Sequence, residues 1–206
     1  MIPQGTPEWE AARIGRVTAS RIADLTAKIK TGWGASRDNY MADLIAERLT
    51  GVAADGFKSQ AMQWGTDTER QARVFYELIE GASVTPGGYI DHPTIPMAGA
   101  SPDGFVGDDG LVEIKCPITK THIDTLLGGR INGGYLKQMH WQMACTGRAW
   151  CDFISFDPRM PEDLRMFVQR VQRDDALVAE LEEAVAGFLA ELDAKVEQIT
   201  QRRMAA

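Results

Sequence analysis

Ser101-Pro102-Asp103-Gly104, followed by Glu113-Ile114-Lys115, constrains this chain more than any other stretch. Leu111-Val112-Glu113-Ile114-Lys115-Cys116 alternates like a half-buried strand, so Glu113 and Lys115 project from one face. Asp103 sits between a proline and a glycine at a turn, where a neighbouring strand can bring it against that face. A short glycine-bounded segment, Gly107 to Gly110, joins the two halves as a hairpin. Two carboxylates and an ammonium on one side of a hairpin form a compact site. Oxygen ligands of this kind suit Mg²⁺ or Mn²⁺, and the lysine can orient or deprotonate an attacking water. Alone, a Glu-x-Lys pair is usually a solvated strand face and Pro-Asp-Gly is usually a turn. Their order and spacing together point to a site.

With 206 residues the chain is long enough to bury a full core. Its composition, 44% apolar and 25% charged, is that of a folded globule, which argues against disorder. No apolar run approaches the roughly 20 residues of a membrane span, and the N-terminus lacks a signal-peptide layout. The expectation is an intracellular, cytoplasmic protein without membrane attachment. Cys116, Cys145 and Cys151 are an odd set without a Cys-x-x-Cys pair, so they indicate neither a disulfide framework nor zinc. His92, His122 and His140 are scattered and read as structural or surface residues. The net charge of −7 is unevenly spread. Residues 1–150 hold 17 acidic and 15 basic residues, whereas residues 151–206 hold 12 and 7. A local phosphate-binding surface therefore remains compatible with the acidic total.

Along the chain, Thr6-Pro7 opens a short helix ended by Gly15, and Thr18 or Ser20 starts a second through Leu25. A loop with Gly32 and Gly34 precedes a helix over about 39–49, stopped by Gly51. Ser59 begins a longer helix closed by Gly81. Residues 83–117 carry the punctuation and β-branched content of a mostly contiguous sheet. Helix 135–145 follows, then strands over 150–156 and 166–171. From Asp174, apolar residues recur every three or four positions, the mark of an amphipathic helix. Its default role is core packing, although its length would also allow contact with a partner. The expected architecture is one α/β domain over residues 1–206: N-terminal helices to 81, a catalytic sheet and helix over 82–173, and a C-terminal helix over 174–206.

Several residues extend the central pair. Glu69 lies on the helix before the sheet and reads either as a third carboxylate of the site or as an exposed partner of Arg73 at i+4. Gln138 and Gln142 recur at helical spacing. They are candidates to hydrogen-bond a metal-bound water or a phosphate, against the commoner reading as surface residues. Arg13 offers a bidentate fork, Ser20 a hydroxyl in the first turn of a helix, and Ser101 a second hydroxyl beside Asp103. These three are candidates for an anion pocket, and Lys30 is a further basic candidate for DNA contact.

The ordered set Pro7-Glu8-Trp9, Arg13-Ile14-Gly15, Thr18-Ala19-Ser20, Trp64-Gly65, Glu69, Ala72-Arg73, Ser101-Pro102-Asp103-Gly104, Glu113-Ile114-Lys115-Cys116-Pro117 and Tyr135 with Gln138 resembles the lambda-exonuclease type of phage recombination nuclease, also called YqaJ-like. Trp150 and Phe156-Asp157-Pro158-Arg159-Met160 continue the likeness. The core motif is that of the PD-(D/E)xK superfamily. The resemblance implies a restriction-endonuclease-like fold with a mixed central sheet flanked by helices. It implies a Mg²⁺-dependent exonuclease, with Mn²⁺ as a substitute and two ions in the site. Such enzymes digest one strand of linear duplex DNA from a 5′-phosphorylated end, 5′ to 3′. They work as ring-shaped homotrimers and pass the 3′ strand to a phage single-strand annealing protein. On this likeness Asp103, Glu113 and the Ile114 carbonyl are metal ligands, Lys115 activates the nucleophile, and Glu69 and Gln138 support metal and water. Arg13, Ser20 and Ser101 fall at the 5′-phosphate, and Met62 at an apolar wedge that splits the end base pair. His140 stands where a second glutamine is expected. Two other readings stay open: an endonuclease of the same fold, and a DNA-binding scaffold with a degenerate site.

Overall fold

The computed structural model of the protein describes residues 1–54 and 60–205, with the backbone alone for Gln60, Ala61, Met62 and Ala205. Helix α1, Pro7–Arg13, opens as the Thr6-Pro7 pair dictates: Thr6 Oγ1 accepts the Trp9 N–H at 3.2 Å and Pro7 occupies the first turn. Ser20 falls in a 3-10 turn, Ala19–Arg21, which leads into the four-residue helix α2, Ile22–Leu25. The expected first α-helical turn at Ser20 is therefore a tighter one. Helix α3 spans Ala35–Thr50, starting earlier than expected and ending on Gly51 in the left-handed conformation. Helix α4 spans Gln60–Glu80; Ser59, expected to begin it, lies outside the described residues. Helix α5, Thr119–Gly128, was not legible in the sequence. Helix α6, Gly133–Thr146, ends on left-handed Gly147. Helix α7, Asp175–Ala205, closes the chain, with Asp174 Oδ1 accepting the N–H groups of Ala176 and Leu177.

The strands form separate sheets, which corrects the expectation of one mostly contiguous sheet. Strands β1 (Ile2–Pro3), β2 (Val17–Thr18), β6 (Gly88–Asp91) and β7 (Ala98–Ala100) make a small sheet in the order β1-β6-β7-β2. Strands β3 (Lys28–Ile29) and β4 (Gly32–Trp33) pair as a hairpin where a loop was expected, with Lys30 and Thr31 at the turn and Gly32, at φ 141°, opening β4. The central sheet holds five strands, β5 (Val84–Pro86), β8 (Gly104–Val106), β9 (Gly110–Lys115), β10 (Trp150–Phe156) and β11 (Met166–Gln172), ordered β11-β10-β9-β8-β5. It is mixed: β9 and β10 run parallel, and every other pair is antiparallel.

Strand β9 sits in the middle of this sheet and is buried along nearly its whole length, so both faces are covered. Val112, Ile114, Ile154 and Phe156 pack on Ala72 and Tyr76 of α4, while Leu111, Cys151 and Phe153 pack on Met139 and Met143 of α6. A third apolar cluster joins α2, α3, α6 and α7 through Leu25, Tyr40, Leu44, Trp141, Phe188 and Leu192. The amphipathic stripe of α7 is thus spent on the core. The histidines are also interior: His122 bonds the Ser155 hydroxyl and the Leu164 carbonyl, His140 bonds the Leu136 carbonyl, and His92 stacks on Trp141. Among the described residues no helix is long and apolar enough to cross a membrane.

Candidate active site

The β8–β9 hairpin positions the central residues. Gly104 pairs with Val112, so continuing that register places Asp103 across from Glu113. Asp103 Oδ2 accepts the Ile114 N–H at 2.7 Å, which ties the residue to the strand that carries the other two groups. Lys115 lies two residues beyond Glu113 on the same face, and its Nζ bonds Glu113 Oε1 at 2.5 Å. Gly87 presses on this segment from β5–β6: a Cβ there would meet the Pro102 carbonyl oxygen at 1.8 Å. Only glycine fits.

Glu113 is almost fully buried, and both its oxygens are held. Gln138 Nε2 donates to Oε1 at 2.7 Å and Gln142 Nε2 to Oε2 at 2.6 Å. Both glutamines come from α6, four residues apart and therefore on one helix face. The expectation of ordinary surface glutamines is thus corrected, and Gln142 is fully buried. The second glutamine sought at position 140 stands at 142; His140 is held by a backbone carbonyl. Glu69 approaches from α4, pairs with Arg73 at 2.8 Å and lines the cleft of the other carboxylates. It is only 24% exposed, not a free surface acid.

The electrostatics follow from crowding. Burial, then the neighbouring Glu113 and Glu69, hold the Asp103 carboxyl well above the usual carboxylate range. Burial also raises Glu69, with Arg73 opposing and Glu113 adding to it. For Lys115 burial alone would lower the pKa, but Glu113 and Asp103 outweigh it and hold the group above its ordinary value. In the metal-free cleft Lys115 is thus held as an ammonium that donates hydrogen bonds. The Cys116 thiol, also on the cleft wall, is pushed up to about 12 by burial and by Glu69 and Asp103, and stays a neutral thiol. Among the described residues no three His, Cys, Asp or Glu side chains already surround one point as a metal cluster. The carboxylates are instead held by Lys115, Gln138, Gln142 and Arg73.

Arg13, Ser20 and Ser101 line the same cleft of about 470 Å³ as Glu69, Asp103, Glu113, Lys115 and Gln138. Trp9 organises this end, a role sequence reasoning missed. Its indole N–H donates to Ser101 Oγ at 2.9 Å, and the Arg13 guanidinium lies 4.0 Å from its ring centroid. The spacing of Trp9 and Arg13, four apart on one helix, was the available signal. Arg13 makes no salt bridge or side-chain hydrogen bond with the described residues, and its Nε is buried without a partner. Burial lowers its pKa, though a guanidinium stays charged. An unpaired, partly buried cation in a cleft that also carries hydroxyls can hold an anion. Lys30 lies elsewhere, exposed at the turn of the β3–β4 hairpin and outside the cleft lining. The Met62 side chain, expected as the wedge, lies outside the described residues.

Comparison with known proteins places the chain in a family. Residues 8–149 match the YqaJ-like viral recombinase domain. The crystal structure of the alkaline exonuclease LHK-Exo from Laribacter hongkongensis shares 54% identity with a TM-score of 0.91, covering 97% of this chain and 99% of that one. LHK-Exo in complex with dAMP superposes with a TM-score of 0.92 at the same identity and coverage. A phage-related exonuclease from Haemophilus somnus 129PT, at 16% identity, shares the fold with a TM-score of 0.74 over 89% of this chain and 96% of that one. Among curated proteins there is no match. With the family's domain spanning more than half of its length, this chain belongs to the YqaJ-like viral recombinase family.

Proposed function

We propose that the protein is a metal-dependent exonuclease that digests one strand of linear duplex DNA from its 5′ end. The observation that carries this reading is the shared cleft: an unpaired Arg13 with two serines at one part, and a carboxylate–lysine group at another. A terminal 5′-phosphate carries more negative charge than an internal diester, so the Arg13 site favours an end over a continuous backbone. With the end phosphate held there, the first internal phosphodiester reaches Asp103, Glu113 and Lys115. Hydrolysis adds a water oxygen to that phosphorus and breaks its bond to the O3′ of the terminal nucleotide. A 5′-mononucleotide leaves, and the shortened strand carries a new 5′-phosphate for the same pocket.

The donor set fits a hard divalent cation, because it is all oxygen and three carboxylates, Glu69, Asp103 and Glu113, line one cleft. Asp103, Glu113 and the Ile114 carbonyl would hold Mg²⁺ or Mn²⁺, with Glu69 available to a second ion. When bound, the metal supplies Lewis-acid stabilisation of the developing phosphorane charge and a more acidic water. Lys115, as an ammonium, orients the incoming water and answers the charge that builds on the phosphoryl oxygens. Gln138 and Gln142 keep Glu113 fixed while its neighbours move.

The same reading includes a homotrimeric ring, hand-over of the 3′ single strand to a phage annealing protein, and a cytoplasmic, phage- or prophage-encoded context. The family and the alkaline exonuclease relatives support the nuclease part of this reading. The test is incubation with linear duplex bearing 5′-phosphate or 5′-hydroxyl ends, and with closed circular duplex, with and without Mg²⁺. Mg²⁺-dependent release of 5′-mononucleotides from phosphorylated ends is expected. Cleavage of the closed circle would instead favour an endonuclease, and DNA binding without cleavage a scaffold.

A further inference from the structure

The Phe156-Asp157-Pro158-Arg159-Met160 segment takes no part in the chemistry above, yet it holds an arginine at the edge of the cleft. Asp157 is completely buried at the exit of β10. It accepts the Arg159 backbone N–H at 3.0 Å, Arg159 Nε at 2.7 Å and Nη2 at 3.0 Å. Nη2 also donates to the Pro117 carbonyl at 3.3 Å. The guanidinium lies 4.6 Å from the centroid of the Trp64 ring, on α4. Pro117 lines the cleft, and Trp64 directly precedes Gly65 and Thr66, which also line it. Arg159 thus bridges the end of β9, the exit of β10 and the start of α4.

One edge and one face of the guanidinium are fixed, while the side chain remains 46% exposed. Nη1 makes no hydrogen bond with the described residues. A buried carboxylate that holds an exposed arginine by a fork, with an aromatic platform beneath, removes most of the rotamer freedom that DNA contact would otherwise cost. Arg170 is held in the same way, by a fork to buried Asp152 over the Trp150 ring, but among the described residues it bonds none lining the cleft, whereas Arg159 bonds cleft-lining Pro117. We propose that Arg159 binds a backbone phosphate of the duplex beside the scissile nucleotide through its Nη1 edge. Asp157 and Trp64 are its positioning residues. The ligand is a phosphodiester, not a base or a terminal phosphate, because a single exposed N–H edge reads charge and distance without sequence. The inference rests on the nuclease reading for its substrate.

The experiment compares wild type with Arg159→Gln and Arg159→Lys, binding linear duplex in EDTA over a series of salt concentrations, after thermal unfolding confirms the fold. Asp157 keeps the backbone N–H of residue 159 in both variants, and both side chains can still donate to it. For Arg159→Gln, Kd is expected to rise about ten-fold, and the slope of log K against log salt to shrink by about one counterion. The loss is expected to be equal for 5′-phosphorylated and 5′-hydroxyl ends. For Arg159→Lys, the slope should stay near wild type while Kd rises several-fold, since the charge persists but the fork does not. If wild type fails to bind duplex, the nuclease reading itself fails. If wild type binds and either folded variant keeps wild-type affinity, the assignment of Arg159 is overturned.

Discussion

Gln142 holds Glu113 from inside the protein: its amide nitrogen, fully buried on α6, donates to Glu113 Oε2 at 2.6 Å. The other oxygen faces Gln138 and Lys115. Gln142 therefore fixes the carboxylate from the back while the front stays with the cleft. Replacing it by alanine leaves Oε2 buried and unpaired, a loss of about 1–3 kcal/mol. Gln142→Ala is expected to require roughly 10- to 100-fold more Mg²⁺ for half-maximal cleavage, with duplex affinity in EDTA unchanged. An unaltered Mg²⁺ titration would show that Gln138 alone sets the carboxylate.

Lys115→Ala should fold and bind duplex DNA, because the ammonium faces the cleft while the packing of β9 rests on Val112 and Ile114. Single-turnover cleavage is expected to fall about 10²- to 10³-fold, the usual loss for one charge-stabilising donor. Near-normal single-turnover cleavage by the folded variant would rule out the catalytic role of Lys115.

Much of this arrangement was legible before any coordinates. The alternation of residues 111–116 placed Glu113 and Lys115 on one face, and the turn residues around Asp103 marked where the facing strand begins. Gln142 was seen as a candidate, but its burial was not. A glutamine four positions from another looks the same in sequence whether the helix face meets solvent or a buried acid. Helix α5 was hidden because its threonines and its exposed Ile123 and Leu127 give no apolar stripe; only His122 is buried. The division into two sheets was also hidden, since residues 84–115 hold strands of both and hydrogen-bond partners are not written in a strand's own composition. Trp9 illustrates a related limit. Its indole acts on Ser101, 92 positions away.

Gly87 provides a purely steric test. A Cβ at this position would lie 1.8 Å from the Pro102 oxygen and 2.8 Å from its carbonyl carbon, so the Pro102-Asp103 segment must move. Gly87→Ala is expected to cost about 1–3 kcal/mol through overpacking. It should also slow cleavage roughly 10²-fold, because a displacement of about 1 Å is enough to misplace a reacting group. Thermal unfolding and single-turnover rates measure the two effects. Wild-type activity in this variant would mean that Asp103 tolerates displacement.

Asp103 should reveal itself in the pH dependence of stability without metal. Its folded pKa is raised, so its favourable contribution is complete below the ordinary carboxylate range and is lost as pH rises through the folded value. Glu69 acts in the same direction. Lys115, also raised, contributes fully across this window and loses its part only at strongly alkaline pH. The metal-free protein is therefore expected to lose stability as pH rises above the ordinary carboxylate range and to regain it with Mg²⁺. Asp103→Asn keeps an acceptor for the Ile114 N–H and removes the charge. It should stabilise the metal-free protein at neutral pH by on the order of 1–2 kcal/mol while abolishing cleavage. Thermal unfolding in EDTA across pH checks this, and a destabilised Asp103→Asn would refute it.

On the proposed function, Arg13 is expected to set direction. Its guanidinium has no salt bridge within the described residues, rests on Trp9 and shares its cleft with Ser20 and Ser101. A terminal phosphate held there would draw the 5′ strand toward the carboxylates and leave the 3′ strand outside. Losing one charge-assisted contact removes about 1.5–3 kcal/mol, or roughly ten- to a hundred-fold. Wild type is expected to degrade 5′-phosphorylated duplex well ahead of 5′-hydroxyl duplex, and Arg13→Ala to lose most of that ratio. Arg159→Gln, by contrast, should leave the ratio intact while weakening binding to both ends. Trp9→Phe should reduce the preference more mildly, since the ring that supports Arg13 remains but the indole N–H that orients Ser101 is gone. The measurement is the ratio of initial rates on the two ends for each variant at equal enzyme concentration. A full preference retained by Arg13→Ala would move the phosphate site elsewhere in the cleft.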